Sequence, residues 1–108
     1  MSENLVEFTD ANFESEVLQS SDPVLVDFWA QWCGPCRMAA PAVKQVAQDM
    51  AGEALVLKVN TERFPRLAQQ FGVRGIPNFV VLKNGEVFSQ QAGLVGHGQM
   101  QRWLEAAR

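Results

Sequence analysis

The sequence predicts a single α/β domain, residues 1–108, with a mixed β-sheet of about five strands flanked by about four helices. Three observations support this prediction. Apolar runs of strand length alternate with segments of helical period, the order expected of parallel crossovers. Asn84-Gly85 is a strong hairpin signal between the last two apolar runs. A length of 108 residues suits one domain with one core.

The first elements are a short strand and a helix. Residues 5–8 (LVEF) form a strand at the start of the chain. Thr9 or Asp10 can accept hydrogen bonds from the first free N–H groups of a following helix. Phe13 and Val17 are four residues apart and would form the inner face of that helix.

The middle of the chain predicts a strand, a long helix, a second strand and a short helix. Residues 24–29 (VLVDFW) are an apolar strand. The long helix that follows ends at Gly52, and residues 54–59 form the next apolar strand. Residues 64–71 have helical period, and Gly72 ends that helix. The long helix has apolar residues at i, i+4, i+7, i+8 and i+11: Ala39, Val43, Val46, Ala47 and Met50.

The last third of the chain predicts a hairpin and a final helix. Residues 78–82 form a strand, and the Asn84-Gly85 turn returns residues 86–92 antiparallel to it. Glycines then interrupt the pattern before a last amphipathic segment. Its apolar face consists of Met100, Trp103, Leu104 and Ala107.

Composition and charge exclude several classes of function. The net charge is −3 and the nine Lys and Arg residues are dispersed, so a nucleic-acid partner is not expected. No apolar run approaches the roughly 20 residues of a membrane span. The polar, acidic N-terminus is unlike a secretory signal, and two cysteines suit a reducing compartment. We therefore expect a cytoplasmic protein that contacts no membrane.

The two cysteines predict a redox site. Cys33 and Cys36 stand where a strand ends and a helix begins, where free N–H groups and the helix dipole favour an anion such as a thiolate. A Cys-x-x-Cys pair beside a βαβ pattern is a dithiol redox signature. Three alternatives remain. A zinc site needs about four ligands, but the chain has only one histidine, His97. A structural disulfide would close almost no loop, and two inert buried thiols would not need an exposed Gly34-Pro35 turn.

Two charged residues lie in predicted apolar strands. Asp27 is surrounded by apolar neighbours, which raises the pKa of a carboxyl group. It is either a functional buried acid or a carboxylate that reaches a polar rim. Lys58 lies in the neighbouring strand and either couples to Asp27 or extends its charge to the surface.

Three segments resemble the thioredoxin family in order and in spacing. They are residues 28–38 (FWAQWCGPCRM), residues 72–77 (GVRGIP) and residues 83–85 (KNG). The resemblance covers nearly the whole chain and implies the thioredoxin fold. The Gly-Pro pair between the cysteines, with Asp27 upstream, resembles the reducing members of the family. Residues 58–62 (KVNTE) are similar to a subgroup that carries an additional N-terminal zinc module, whose cysteines are absent here.

The resemblance implies a protein-disulfide reductase with assigned roles for four residues. Cys33 is expected to be the nucleophile, since it comes first and lies nearer the exposed turn, and Cys36 the resolving thiol. Asp27 would be the buried acid that exchanges a proton with Cys36. Lys58 is a candidate modulator of Asp27.

The resemblance also implies a substrate groove beside the cysteines. On residue type alone, the Ile76–Pro77 bond beside this groove would be predicted trans, because only about 5% of such bonds are cis. The resemblance implies instead that this bond is cis, as the family holds it. The cis bond would expose backbone groups of Ile76 to an extended substrate. Trp32 belongs either to the groove or to the core. The expected groove residues are Trp32, Gly34, Pro35, Ile76, Pro77 and Gly93.

The implied partners are a thioredoxin reductase supplied by NADPH and client proteins that contain disulfides, with a monomeric chain that binds no cofactor or metal. One alternative is a binding module or holdase with an incidental dithiol, and another is an oxidase or isomerase. Two positions depart from the family pattern. Asn78 replaces the usual Thr beside the groove, which concerns substrate preference, and Gly96 replaces a common Ser at the cap of the last helix.

Overall fold

Five strands form one mixed sheet in the computed structural model, which describes residues 4–9, 13, 17 and 19–108. The strands are β1 (Leu5–Glu7), β2 (Val24–Trp29), β3 (Leu55–Asn60), β4 (Asn78–Lys83) and β5 (Glu86–Ala92). Their spatial order is β1-β3-β2-β4-β5. β1 and β2 are parallel to β3, whereas β4 is antiparallel to β2 and β5. The predicted parallel crossover and final hairpin are both confirmed.

Within the described residues the helices are α1 (Gly34–Asp49), α2 (Pro65–Gln70) and α3 (His97–Ala106). The sequence predicts about four helices. The additional one, after Thr9 or Asp10, falls largely outside the described residues. Of its predicted inner face, Val17 is buried and Phe13 is partly buried in the core beneath α2. The prediction that these two residues are part of the core is therefore confirmed.

The sheet separates two apolar cores because successive strand residues point to opposite faces. On one face, Leu25 and Phe79 pack against buried residues of α1 and α3. On the other face, Val26 and Val80 pack with buried residues of α2. Asp27 has the same parity as Leu25 in β2, so its side chain lies on the α1 and α3 face.

Element boundaries differ from the prediction by a few residues. α1 ends at Asp49 with Met50 as its C-cap, because the N–H of Met50 makes the last helical bond to the carbonyl of Val46. Gly52 lies beyond the helix, in the turn, with φ of +84°. β3 begins one residue later than predicted, at Leu55. None of these shifts moves the cysteines from the start of α1.

We expect Gly96→Ser to stabilise the protein. Gly96 is the N-cap of α3, with φ −77° and ψ 161°, and it provides no side-chain hydrogen bond to the first turn of the helix. A Cβ added at Gly96 would meet no other atom within 4 Å. A serine hydroxyl would accept a free N–H of the first turn, so unfolding should cost about 0.5–1 kcal/mol more. Urea melts measure this difference. Gly93→Ser is the matched control, and it should destabilise because Gly93 has φ of +102°. A Gly96→Ser protein no more stable than the original would contradict the cap argument.

Candidate active site

The two cysteines form a disulfide at the start of α1. Cys33 is the N-cap of the helix, and its Sγ accepts a hydrogen bond from the backbone N–H of Cys36 at 3.1 Å. Pro35 occupies the first turn, where a backbone N–H is not needed. In the reduced protein, this N–H and the helix dipole favour a thiolate on Cys33.

Side-chain exposure does not distinguish the two cysteines. Cys33 is 3% exposed and Cys36 is 7% exposed, although Trp32 beside them is 65% exposed. Both cysteines are buried because they pack with Ala30 under the partly buried side chains of Trp29 and Ile76. Exposure in the oxidised form therefore does not separate the nucleophile from the resolving thiol, and the N-cap position of Cys33 supports its assignment as the nucleophile instead. The exposure of Trp32 excludes a core position for that side chain.

The segment before β4 lies against the disulfide. The Ile76–Pro77 peptide bond is cis, as the resemblance implies. The Ile76 carbonyl oxygen lies 3.7 Å from Cys33 Sγ. Gly93 follows β5, and its N–H donates to the Pro77 carbonyl at 2.8 Å. Folding thus brings Ile76, Pro77 and Gly93 from separate parts of the chain to one place beside Cys33.

The turn between the cysteines leaves space on its outer side. An added Cβ at Gly34 would meet only the Arg37 guanidinium, at 4.0 Å, so packing within the chain does not require glycine there. Pro35 is exposed. Arg37 is a residue that the sequence analysis missed: its Nη1 donates to the Gln31 carbonyl at 2.7 Å and so spans the turn. A basic residue in a first helical turn opposes the helix dipole, and that was the signal available in the sequence.

Asp27 is buried in β2, the strand that precedes the cysteine turn, and its side chain is not at a polar rim. The residue is 3% exposed, and burial raises the pKa of its carboxyl group from 3.8 to about 7. The charge of Lys58 lowers this pKa and the charge of Glu7 raises it, but both effects are smaller than that of burial. In the described part of the chain, Asp27 Oδ1 has no hydrogen-bond partner. A protonated, uncharged Asp27 is therefore well populated near neutral pH.

Lys58 lies between Asp27 and Trp29, the aromatic residue that packs against the cysteines. In the sheet register Lys58 is opposite Asp27 on β2 and opposite Glu7 on β1, so three charged side chains form one row on the α1 face. Lys58 Nζ lies 4.5 Å from the ring centroid of Trp29, and Trp29 packs against the cysteine cluster. This geometry favours coupling to Asp27 over a lysine that only extends its charge to solvent.

The row predicts opposite effects for two substitutions. Lys58→Met removes a neighbouring positive charge, so the pKa of Asp27 should rise above about 7. Glu7→Gln removes a negative charge and should lower the same pKa. The carboxyl carbon resonance of Asp27, followed by NMR as a function of pH, measures both changes. A shift in the same direction in both variants would contradict the electrostatic row.

Asn78 lies beneath the expected groove instead of on its surface. The residue is 5% exposed, and its Oδ1 accepts a hydrogen bond from Gln90 Nε2 at 3.1 Å. It has the same parity in β4 as Val80, so its side chain lies on the α2 face. The amide is thus engaged within the protein, and direct contact of Asn78 with a substrate has no support in this geometry.

The described residues, 4–9, 13, 17 and 19–108, include neither a candidate metal cluster nor a candidate membrane span. This part of the chain contains no group of three or more His, Cys, Asp or Glu residues placed to hold a metal ion. None of its helices combines the length and the apolar character needed to cross a bilayer.

Comparison with known proteins agrees with this geometry. The thioredoxin family model matches residues 4–106. The chain is 43% identical to a thioredoxin of Pseudomonas aeruginosa over 98% of both chains. It is 47% identical to thioredoxin 1 of a Nostoc species over 90% of this chain and 91% of the relative, and 52% identical to thioredoxin 1 of Synechococcus elongatus over 81% of each. The chain therefore belongs to the thioredoxin family, and its Cys33–Cys36 pair makes it a dithiol–disulfide oxidoreductase.

Proposed function

We propose that this single domain reduces disulfide bonds of client proteins, with Cys33 as nucleophile and Cys36 as resolving thiol. The observation that carries the proposal is the position of Cys33 at the N-cap of α1, where the Cys36 N–H donates to its sulfur. A thiolate is the reactive form in disulfide exchange, and this position stabilises it. An incidental dithiol in a binding module would need neither this cap nor a buried acid in the preceding strand, β2.

In the first step the Cys33 thiolate attacks one sulfur of the client disulfide. A sulfur–sulfur bond forms between Cys33 and the client, the client disulfide breaks, and the other client sulfur leaves as a thiolate that takes up a proton. The attacking sulfur must approach along the client's S–S axis, so the client chain has to lie in the groove formed by Trp32, Ile76 and Gly93. Gly34 and Pro35, on the outer side of the turn, complete that surface.

In the second step Cys36 attacks the Cys33 sulfur and releases the reduced client. The Cys33–Cys36 disulfide seen here is the product of that step. Cys36 must lose its proton first, and Asp27 is proposed as the acceptor because burial raises the pKa of its carboxyl group to about 7. Lys58 modulates this acceptor, since its charge favours the ionised form of Asp27.

The groove is proposed to bind the client by its backbone. The Ile76 carbonyl lies 3.7 Å from Cys33 Sγ, at the end of a loop that leads into β4. An extended client segment that pairs with the backbone of Ile76 would place its disulfide next to Cys33, in the manner of strand addition. Pro77 leaves this position free of a competing backbone donor.

The electrons are proposed to come from NADPH through a thioredoxin reductase, which reopens the Cys33–Cys36 disulfide after each turnover. No bound cofactor is required on this chain, because exchange between thiols and disulfides transfers the electrons directly. The proposal places the protein in the cytoplasm, where disulfides of clients are kept reduced, and as a monomer. Because the net charge is −3 and the basic residues are dispersed, we propose no nucleic-acid partner.

Insulin reduction tests the proposal. The purified protein should precipitate insulin B chain catalytically with dithiothreitol, and with NADPH only when a bacterial thioredoxin reductase is added. The redox potential, titrated against glutathione, should be reducing, which separates a reductase from an oxidase or isomerase. A protein that binds unfolded clients without reducing insulin would support the holdase alternative instead.

A further inference from the structure

The loop of residues 72–77 connects α2 to β4 and carries the Ile76 carbonyl that faces Cys33. Its backbone hydrogen bonds are confined to its two ends. At the start, the N–H groups of Gly72 and Val73 donate to carbonyls of α2, and at the end the Pro77 carbonyl accepts from Gly93. Within the described part of the chain, the backbone of residues 74–75 makes no hydrogen bond, so the middle of the loop depends on how its ends are held.

One side chain joins both ends of this loop. Gln90 Nε2 donates to the carbonyl oxygen of Phe71 at 2.8 Å, immediately before the loop. The same nitrogen donates to Oδ1 of Asn78 at 3.1 Å, immediately after the loop. Asn78 is buried, so its oxygen would lose its partner if Gln90 were absent.

The sheet explains why Gln90 can reach both groups. Gln90 is opposite Val80 in the β4–β5 register, and Asn78 lies two residues from Val80 on the same face. That face also packs against Phe71, the C-cap of α2. The neighbouring Gln91 is opposite Phe79 and points to the other face of the sheet. Position 90 is thus placed to hold the loop and position 91 is not.

We propose that Gln90 is a positioning residue for client binding, because it holds the two ends of the 72–77 loop together and thereby keeps the Ile76 carbonyl beside Cys33. The inference rests on the proposed function, in which the client backbone pairs with Ile76. It also gives Asn78 a role: its amide anchors the loop from below as the partner of Gln90. Substrate preference is then affected through the geometry of the loop and not through contact with Asn78.

The test compares Gln90→Leu with its matched control, Gln91→Leu, in the reduced protein. Single-turnover rates are measured at increasing concentrations of insulin, which presents a disulfide within a peptide backbone. In Gln90→Leu the half-saturating concentration should rise about threefold to tenfold, the effect of losing one or two hydrogen bonds, while the limiting rate stays within twofold. Gln91→Leu should behave like the original protein.

A small disulfide separates positioning from general damage. Ellman's reagent has no peptide backbone to pair with Ile76, so its reaction with Cys33 should change less than twofold in Gln90→Leu. Hydrogen exchange should also be faster at the N–H groups of Gly72, Val73 and Gly93, whose hydrogen bonds hold the two ends of the loop, in Gln90→Leu but not in Gln91→Leu. An unchanged half-saturating concentration for insulin, equal effects of both variants, or equal losses with insulin and Ellman's reagent would overturn the inference.

Failure of the proposed function has a different signature. If the original protein does not reduce insulin at all, the reductase proposal fails irrespective of the variants. The exchange measurement still decides whether Gln90 holds the loop, because it requires no client. Unchanged exchange at the N–H groups of Gly72, Val73 and Gly93 in Gln90→Leu would then overturn the anchoring itself.

Discussion

With Cys33→Ser, the rate of insulin reduction should fall to the rate seen with dithiothreitol alone, whereas Cys36→Ser should trap clients as mixed disulfides. Only Cys33 combines the N-cap position with a hydrogen bond to its sulfur from the Cys36 N–H. Without its sulfur, nothing in the site is placed to attack a client. Without the sulfur of Cys36, attack still occurs but the intermediate is not resolved. Non-reducing gels of the two variants with insulin, or with a cell extract, measure the trapped species.

Alkylation provides an independent control for the roles of the two cysteines. In the reduced protein at neutral pH, iodoacetamide should modify Cys33 faster than Cys36, because the thiolate is the reactive form. Peptide mapping identifies the modified residue. Since both cysteines are buried to a similar extent in the oxidised form, exposure alone predicts similar rates. Faster labelling of Cys36, or mixed disulfides formed by Cys33→Ser, would contradict the assignment.

Asp27→Ala should be more stable than the original protein at pH 8, and this advantage should disappear towards pH 4. The folded pKa of Asp27, about 7, is above the ordinary value of 3.8, so between these values the native state binds a proton that the unfolded state has lost. Stability therefore falls as pH rises through this window and is constant above it. A difference of about 3 in pKa corresponds to about 4 kcal/mol at pH 8. A cavity cost of about 1 kcal/mol leaves a net gain of about 3 kcal/mol.

Asp27→Asn separates charge from shape in this experiment. Asparagine is nearly isosteric and cannot ionise, so it should remove the same pH dependence without leaving a cavity. Asp49→Asn, at the exposed C-terminal end of α1, controls for the loss of one negative charge. Urea melts at pH 4 and pH 8 measure all three variants. Equal stability of the Asp27 variants and the original protein at both pH values would contradict a buried carboxylate.

The same Asp27 variants should resolve mixed disulfides more slowly. General-base assistance is typically worth at least about 10²-fold, and solvent can replace part of it, so we expect a loss of up to about 10²-fold. The rate of disappearance of a preformed mixed disulfide between Cys33 and a client measures this step directly. A protein that gains stability and loses speed through one substitution would show that Asp27 is retained for the reaction and not for folding. Full activity in Asp27→Asn would contradict its role as proton acceptor.

Local sequence patterns were sufficient to predict the architecture. Apolar runs determine which segments are buried strands, and the Asn84-Gly85 pair determines where the chain reverses. The turn geometry confirms the latter, because both residues have positive φ, 54° and 80°. The exact ends of the helices and strands could not be predicted. The end of α1, for example, depends on which carbonyl oxygens accept the N–H groups of the residues after Val46 in the folded chain. The resemblance supplied the cis Ile76–Pro77 bond, which residue type alone would have assigned as trans.

The sequence by itself determined the reactive group and its local setting, because Cys33 and Cys36 are neighbours in one helical turn and their geometry follows from that turn. Only the tertiary structure decided what surrounds them. The register between strands distant in sequence places Lys58 opposite Asp27, and the burial of Asp27 raises the pKa of its carboxyl group. The bonds from Gln90 to Phe71 and Asn78 depend on the pairing of β4 with β5, and no periodicity in one strand indicates the partner of a side chain in another.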